Sequence, residues 1–204
     1  MATLANGDSE LDAQPTPAPA TGRILGIDPG LHVTGYAVIE ASPRGTYVVE
    51  AGVLRPRGAS SKTFEARLLA IHNGVLEVMD AFPPSSMAME QVHSHYKHPR
   101  TGLLMSHARG VIMLAAAKRS VSVTGYAAAR IKKTLTGSGK AIKEQMQHAI
   151  QTELGLDRLP EPHDVADACA VALCHYQMSR NWHGVNSLPP SRRRSSGQDS
   201  ATAR

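Results

Sequence analysis

Aromatic residues are scarce, only 4% of the chain. A core built from it must therefore be aliphatic, filled by Leu, Ile, Val, Ala and Met. Cysteine is limited to Cys169 and Cys174, which lie inside an apolar, helix-like stretch and at a spacing where their side chains do not face each other. That excludes a disulfide framework and a cysteine metal site, and fits reduced thiols in a cytoplasmic protein. No apolar run approaches the ~20 residues of a membrane span. The N-terminus also lacks the charged start and apolar block of a secretion signal, so a soluble cytoplasmic chain is expected. No internal repeat is visible. Acidic residues are outnumbered, 17 against 22 Lys and Arg, giving a net charge of +5 and a pI near 9.4. A polyanionic partner follows, with basic tails supplying part of the excess.

What remains is enough for one domain: 204 residues, 42% of them hydrophobic. Residues 1–22, rich in Ala, Pro and Thr, and 181–204, rich in Ser, Pro and Arg, read as disordered tails around a domain at 23–180. Within it, 23–28, 35–40 and 46–54 read as three hairpin-linked strands. A helical period follows over 62–81, with Phe64, Leu68, Ile71, Val75 and Met79 on one face and Pro83 and Pro84 beyond it. Then come a strand at 86–92, a polar loop at 93–101, a small-residue helix at 103–118 and a strand at 120–125. Helices at 127–135, 140–154 and 163–178 complete the chain, the first two split by Gly137 and Gly139. This order predicts an α/β fold on a mixed five-stranded sheet, three strands antiparallel and two parallel, flanked by helices.

The chain is organised around RILGIDPGLHVTGYAVIE, residues 23–40. An apolar run ends on Asp28, Pro29 and Gly30 turn the chain, and an alternating run returns. Glu90 stands in an otherwise apolar strand, and Asp164 and Asp167 open a helix of Ala, Val, Leu and Cys, on one face at i, i+3. Taken singly these are a turn Asp, an edge-strand Glu and a helix N-cap pair. Taken together they repel: two carboxylates ~4 Å apart cost about 4 kcal/mol at an effective dielectric of ~20. A helix dipole returns only roughly 0.3–1 kcal/mol per charge. Converging acids of this kind are either partly protonated or hold divalent cations, and hard oxygen donors select Mg²⁺ or Mn²⁺. Such a cluster on two ions hydrolyses phosphodiesters.

The pieces ILGIDPG with VTGYAVI, AMEQV, ARGV, YAAARIKKTLTGSGKAIKEQMQ and HDVADACAVALCH, taken in this order over 23–176, resemble the RuvC family of Holliday junction resolvases. The resemblance implies an RNase H-like fold. It implies a metal-dependent endonuclease of DNA recombination and repair, with Asp28, Glu90, Asp164 and Asp167 as its catalytic, metal-binding carboxylates. Two Mg²⁺ per site are implied, with Mn²⁺ as a substitute. So are a homodimer, symmetric nicking of two opposed strands of a four-way DNA junction, and 5′-phosphate ends. A branch-migration helicase of the RuvA–RuvB type is implied as a further partner.

Lys132, Lys133, Lys140 and Lys143 flank the Gly137/Gly139 segment. By pattern they form a solvated helix face; by resemblance, Lys132 and Lys143 touch the DNA backbone, which gives affinity and not sequence choice. Arg109 follows a family motif as a weaker candidate or a brace of the fold. After Glu90 the loop HSHYKHPRTG departs from the family: His93 stands where an aromatic residue is usual, and Tyr96 is a possible substitute. Three histidines there, His93, His95 and His98, lack a fourth ligand and read as a DNA-facing loop. Two other functions share these features: a junction-binding protein that does not cut, and a RuvC-like nuclease of structured RNA. A sugar-kinase or Hsp70-type ATPase also opens on a GIDPG-like loop, but needs a second lobe for which this chain has no room.

Overall fold

The computed structural model describes residues 22–42, 45–91, 99–158 and 160–186. Ten regular elements follow one another: β1 (Arg23–Asp28), β2 (Thr34–Ser42), β3 (Gly45–Leu54), α1 (Phe64–Ala81), β4 (Ser86–Glu90), α2 (Pro99–Lys118), β5 (Ser122–Tyr126), α3 (Ala128–Thr136), α4 (Lys143–Leu154) and α5 (His163–Asn186). The strands form one sheet in the order β3-β2-β1-β4-β5. β1, β2 and β3 pair antiparallel; β4 and β5 join β1 in parallel. This is the mixed sheet expected of the sequence.

The period-two alternation of the strands divides the core in two. Leu25, Ile27, Val38, Met87 and Met89 point to one face, where they meet Ile71 and Val75 of α1 and Ala108 and Ile112 of α2. Ile24, Ala37, Ile39 and Ala88 point to the other, against Ile131, Ile150, Val165, Ala168 and Leu173 of α3, α4 and α5. Cys169 and Cys174 are buried free thiols in this second layer.

Helix α5 lies unusually close to the sheet, and two glycines allow it. A Cβ on Gly26 of β1 would overlap the main-chain oxygen of Ala168, and one on Gly35 of β2 would overlap that of Asp164. The close seat is also pinned by polar groups. The fully buried His175 is hydrogen-bonded at Nδ1 to the Tyr126 hydroxyl (2.9 Å) and at Nε2 to the Ser86 hydroxyl (3.1 Å). Burial pushes the His175 imidazole down to about 4, so it is neutral under ordinary conditions.

Several boundaries differ from expectation for local reasons. β4 stops at Glu90, which therefore ends its strand instead of lying inside it. α2 begins at Pro99, a first-turn position where a missing N–H costs nothing. β5 starts at Ser122, because Ser120 takes a left-handed conformation (φ 56°) that closes α2. α4 starts at Lys143 and not Lys140: Ser138 first gathers the Lys140 and Ala141 N–H groups into a turn. α5 continues to Asn186, beyond the periodic stretch that ends near Met178. The tails expected at 1–22 and 181–204 fall outside the described residues, except for Gly22 and the backbone of 181–186.

Candidate metal and nucleic-acid site

The C-terminal tips of the parallel strands lie side by side, the usual location of sites in open α/β sheets. Ile27 pairs with Met89, so the next residues along, Asp28 and Glu90, are neighbours on adjacent strands. Both continue the rows that face α5, as Gly26 and Ala88 do. Across the other edge of β1, Asp28 pairs with Gly35. Over Gly35 lies the Asp164 backbone in the first turn of α5, and Asp167 follows one turn later. The turn after Asp28 is locked: the buried Thr34 hydroxyl donates to the Gly30 carbonyl (2.6 Å) and accepts the Gly30 N–H (3.3 Å). The Glu90 strand end is braced from α2, where Arg109 Nη1 donates to the Glu90 main-chain carbonyl.

Electrostatics report the convergence directly. The Asp28 carboxyl is pushed up to about 7 by burial and then by Asp167, Glu90 and Asp164 in turn. Asp167 is also raised by burial and by Asp164, while Lys143, His163 and Lys132 draw it back down. Four carboxylates from three separate segments of the chain thus act on one another around Asp28. Among the described residues, no three His, Cys, Asp or Glu side chains stand close enough, as they lie, to hold a metal ion. The donor set nevertheless fits one. It consists of hard oxygens only, and an acid held at about 7 by its neighbours is neutralised either by a proton or by a cation.

Beside the acids runs a cleft of about 560 Å³ whose wall includes Glu90, Asp167, Lys132, Lys140, Ile142 and Lys143. Three of the four expected DNA-contacting lysines therefore meet two of the four acids. Lys133 does not: it is exposed on α3, outside the cleft wall. His93 and Tyr96 lie outside the described residues. Sequence reasoning missed Ile142 and the influence of His163 on Asp167. The first had a signal, an apolar residue between two lysines where a helix begins. The second had the i, i+4 spacing on α5.

The family model for crossover junction endodeoxyribonuclease RuvC matches residues 24–175. A Rhodopirellula baltica protein of that name is 49% identical over 158 residues, spanning 78% of this chain and 88% of that protein. One from Legionella pneumophila strain Lens is 41% identical over 169 residues, 83% of this chain and 93% of the other. Among solved structures, Thermus thermophilus RuvC in complex with Holliday junction substrate superposes with a TM-score of 0.73 at 29% identity, covering 79% of this chain and 96% of that one. The yeast mitochondrial Holliday junction resolvase Ydc2 shares the fold, with a TM-score of 0.61 at 14% identity over 83% of each chain. With the strand order, the acid cluster and these likenesses together, the chain belongs to the RuvC family of crossover junction endodeoxyribonucleases.

Proposed function

We propose that this chain resolves Holliday junctions by nicking two opposed strands of a four-way DNA junction, leaving 5′-phosphate and 3′-hydroxyl ends, with Mg²⁺ as its cofactor. The observation that carries the reading is geometric: Asp28 and Glu90 end adjacent parallel strands, and the first turn of α5, with Asp164, lies over the Gly35 that pairs with Asp28. Asp28, Glu90, Asp164 and Asp167 would hold two ions. When bound, those ions supply activation of a water and stabilisation of the leaving oxygen.

The chain's own groups do the rest. Lys132, Lys140 and Lys143 draw the phosphate backbone into the cleft beside Glu90 and Asp167. Lys143 and Lys132 also favour the charged form of Asp167, keeping a donor available. Asp28, raised to about 7, shares its carboxyl between protonated and charged forms near neutral pH, and the proton must leave on loading.

Paired nicks need paired sites, and α2 offers a surface for a second copy. Leu103, Met113 and Leu114 on this helix are 62%, 47% and 55% exposed, with Gly110 on the same side. An apolar helix face of this kind fits a homodimer. Among the described residues no helix is long and apolar enough to cross a membrane, and a cytoplasmic site of action fits. The helicase partnership rests on the family alone.

The deciding experiment is a synthetic four-way junction incubated with the protein, with and without Mg²⁺, beside a structured RNA of equal length. Symmetric, Mg²⁺-dependent nicks in the DNA junction are expected, and Asp28→Asn abolishes them while binding persists. Binding without nicks by the wild-type chain would leave a junction-binding protein; faster turnover of the RNA would make it an RNA nuclease.

A further inference from the structure

Ile142 stands in a position that the fold does not explain. It is the N-cap of α4, where a Ser, Thr, Asp or Asn side chain normally accepts a free N–H and where Ile ranks among the poorest choices. Its side chain offers no acceptor. Only the return half of a capping box is present, the Ile142 N–H donating to Gln145 Oε1 at 3.0 Å. Nothing covers it either: Ile142 is 59% exposed, whereas Ile131 of α3 and Ile150 further along α4 are buried at 4% and 2%.

Isolated exposed apolar residues are ordinary on protein surfaces. Ile142 differs in its setting. The exposed apolar residues of α2 share one helix face, but Ile142 lies in the wall of a charged cleft, between Lys140 and Lys143 and alongside Glu90 and Asp167. The same wall includes the apolar Ile131 and Met146. A local rule broken at the edge of a site points to a role in that site. The lysines choose the partner's chemistry, since a polyanion is drawn there. A nucleic-acid strand presents apolar sugar and base faces between its phosphates, and apolar side chains are known to pack on or wedge between them.

We propose that Ile142 is the apolar contact of the cleft to the bound DNA strand, packing on a deoxyribose or base face next to the phosphates held by Lys140 and Lys143. This rests on the nuclease reading of the cleft. Ile142 touches the strand and not the scissile bond, so it sets how tightly the strand is held beneath the acids.

The test is Ile142→Ser, which removes the apolar contact while supplying a good N-cap. The variant should melt about 2–4 °C higher than the wild type, because the cap improves. Its affinity for a synthetic four-way junction, measured without Mg²⁺, should nonetheless fall roughly 5- to 30-fold, the scale of one aliphatic side chain losing its buried contact. The slope of log affinity against log salt should not change, since no phosphate contact is lost; Lys143→Ala should lower that slope by about one. In Mg²⁺, KM should rise with kcat little altered, and Ile142→Leu should restore binding to within about threefold of wild type. An Ile142→Ser protein that binds within twofold of wild type overturns the proposal, as does an Ile142→Leu protein no better than Ile142→Ser. The binding arm decides the role of Ile142 even where the wild type cuts nothing, and loss of cutting in Asp28→Asn decides the nuclease reading separately.

Discussion

Gly35 pairs with Asp28 across the β1–β2 ladder, and the space where a Gly35 Cβ would sit is taken by the main-chain oxygen of Asp164. One missing methyl group therefore brings the α5 acids down to the strand-tip acid. Gly35→Ala should lift the first turn of α5. Stability should fall by about 1–3 kcal/mol, as for an overpacked core, in urea unfolding. Junction cleavage should fall more than tenfold, because a 1 Å misplacement of catalytic groups costs that much. Cleavage at wild-type rate would show that the helix end need not sit so close.

Asp28 should make the metal-free protein less stable than its Asn variant at and above neutral pH. The folded-state acid is raised from 3.8 to about 7, so folding favours its protonated form. Below the unfolded value both states are protonated and the two proteins differ little. As pH rises through 3.8 the unfolded wild type gains from ionising while the folded one does not, and the deficit levels off above 7. Its upper bound is about 4 kcal/mol, from roughly 1.4 kcal/mol per pH unit of the window. Chelator-treated wild type and Asp28→Asn, melted from pH 4 to 8, should diverge in that direction, and Mg²⁺ should narrow the gap by stabilising only the wild type.

His175 should produce the opposite slope. Its imidazole is lowered from 6.5 to about 4 by burial, so the folded state resists the charge that the unfolded state accepts. The full stability is present above 6.5 and is lost progressively as pH falls to about 4, by up to about 3 kcal/mol. In Asp28→Asn, where the larger opposing acid is absent and only Asp167 still opposes, unfolding free energies at pH 7, 6, 5 and 4 should decline in this direction, and more steeply than in Asp28→Asn carrying His175→Gln. A flat profile would mean that His175 charges in place.

Ser120 closes α2 with φ 56°, its N–H donating to the Ala117 carbonyl and that of Val121 to Ala116. Glycine is the residue for this left-handed position. Ser120→Gly should stabilise the protein by about 1 kcal/mol, seen as a shift of the denaturation midpoint at unchanged slope, with no effect on cleavage.

Much of this was legible in the chain. Asp28 at a Pro-Gly turn, Glu90 in an apolar strand and Asp164 with Asp167 at a helix start mark the strand tips and the helix that cross there, because burying a carboxylate among apolar neighbours is costly enough to stand out. The strand directions, three antiparallel and two parallel, followed from short hairpins and helical crossovers. Less legible were features set by tertiary approach. Nothing local says that Gly26 and Gly35 lie under α5, or that the polar partners of His175 are Ser86 and Tyr126. The start of α4 differs because Lys140 to Ile142 look helical in composition, while Ser138 takes the Lys140 and Ala141 N–H groups into a turn. Lys133 was grouped with its neighbours by charge alone, although helical rotation turns it away from the cleft.

The site also has an order of assembly. Asp28 and Glu90 belong to the first half of the chain, whereas Asp164 and Asp167 come on the last described helix, which packs over both glycines. A nascent polypeptide on the ribosome, even with all five strands emerged, carries two of the four proposed metal-binding carboxylates and none of the covering helix. On the proposed assignment of the acids, competence to cut DNA would come only with the end of synthesis, and a truncated product lacking α5 should not cleave a junction.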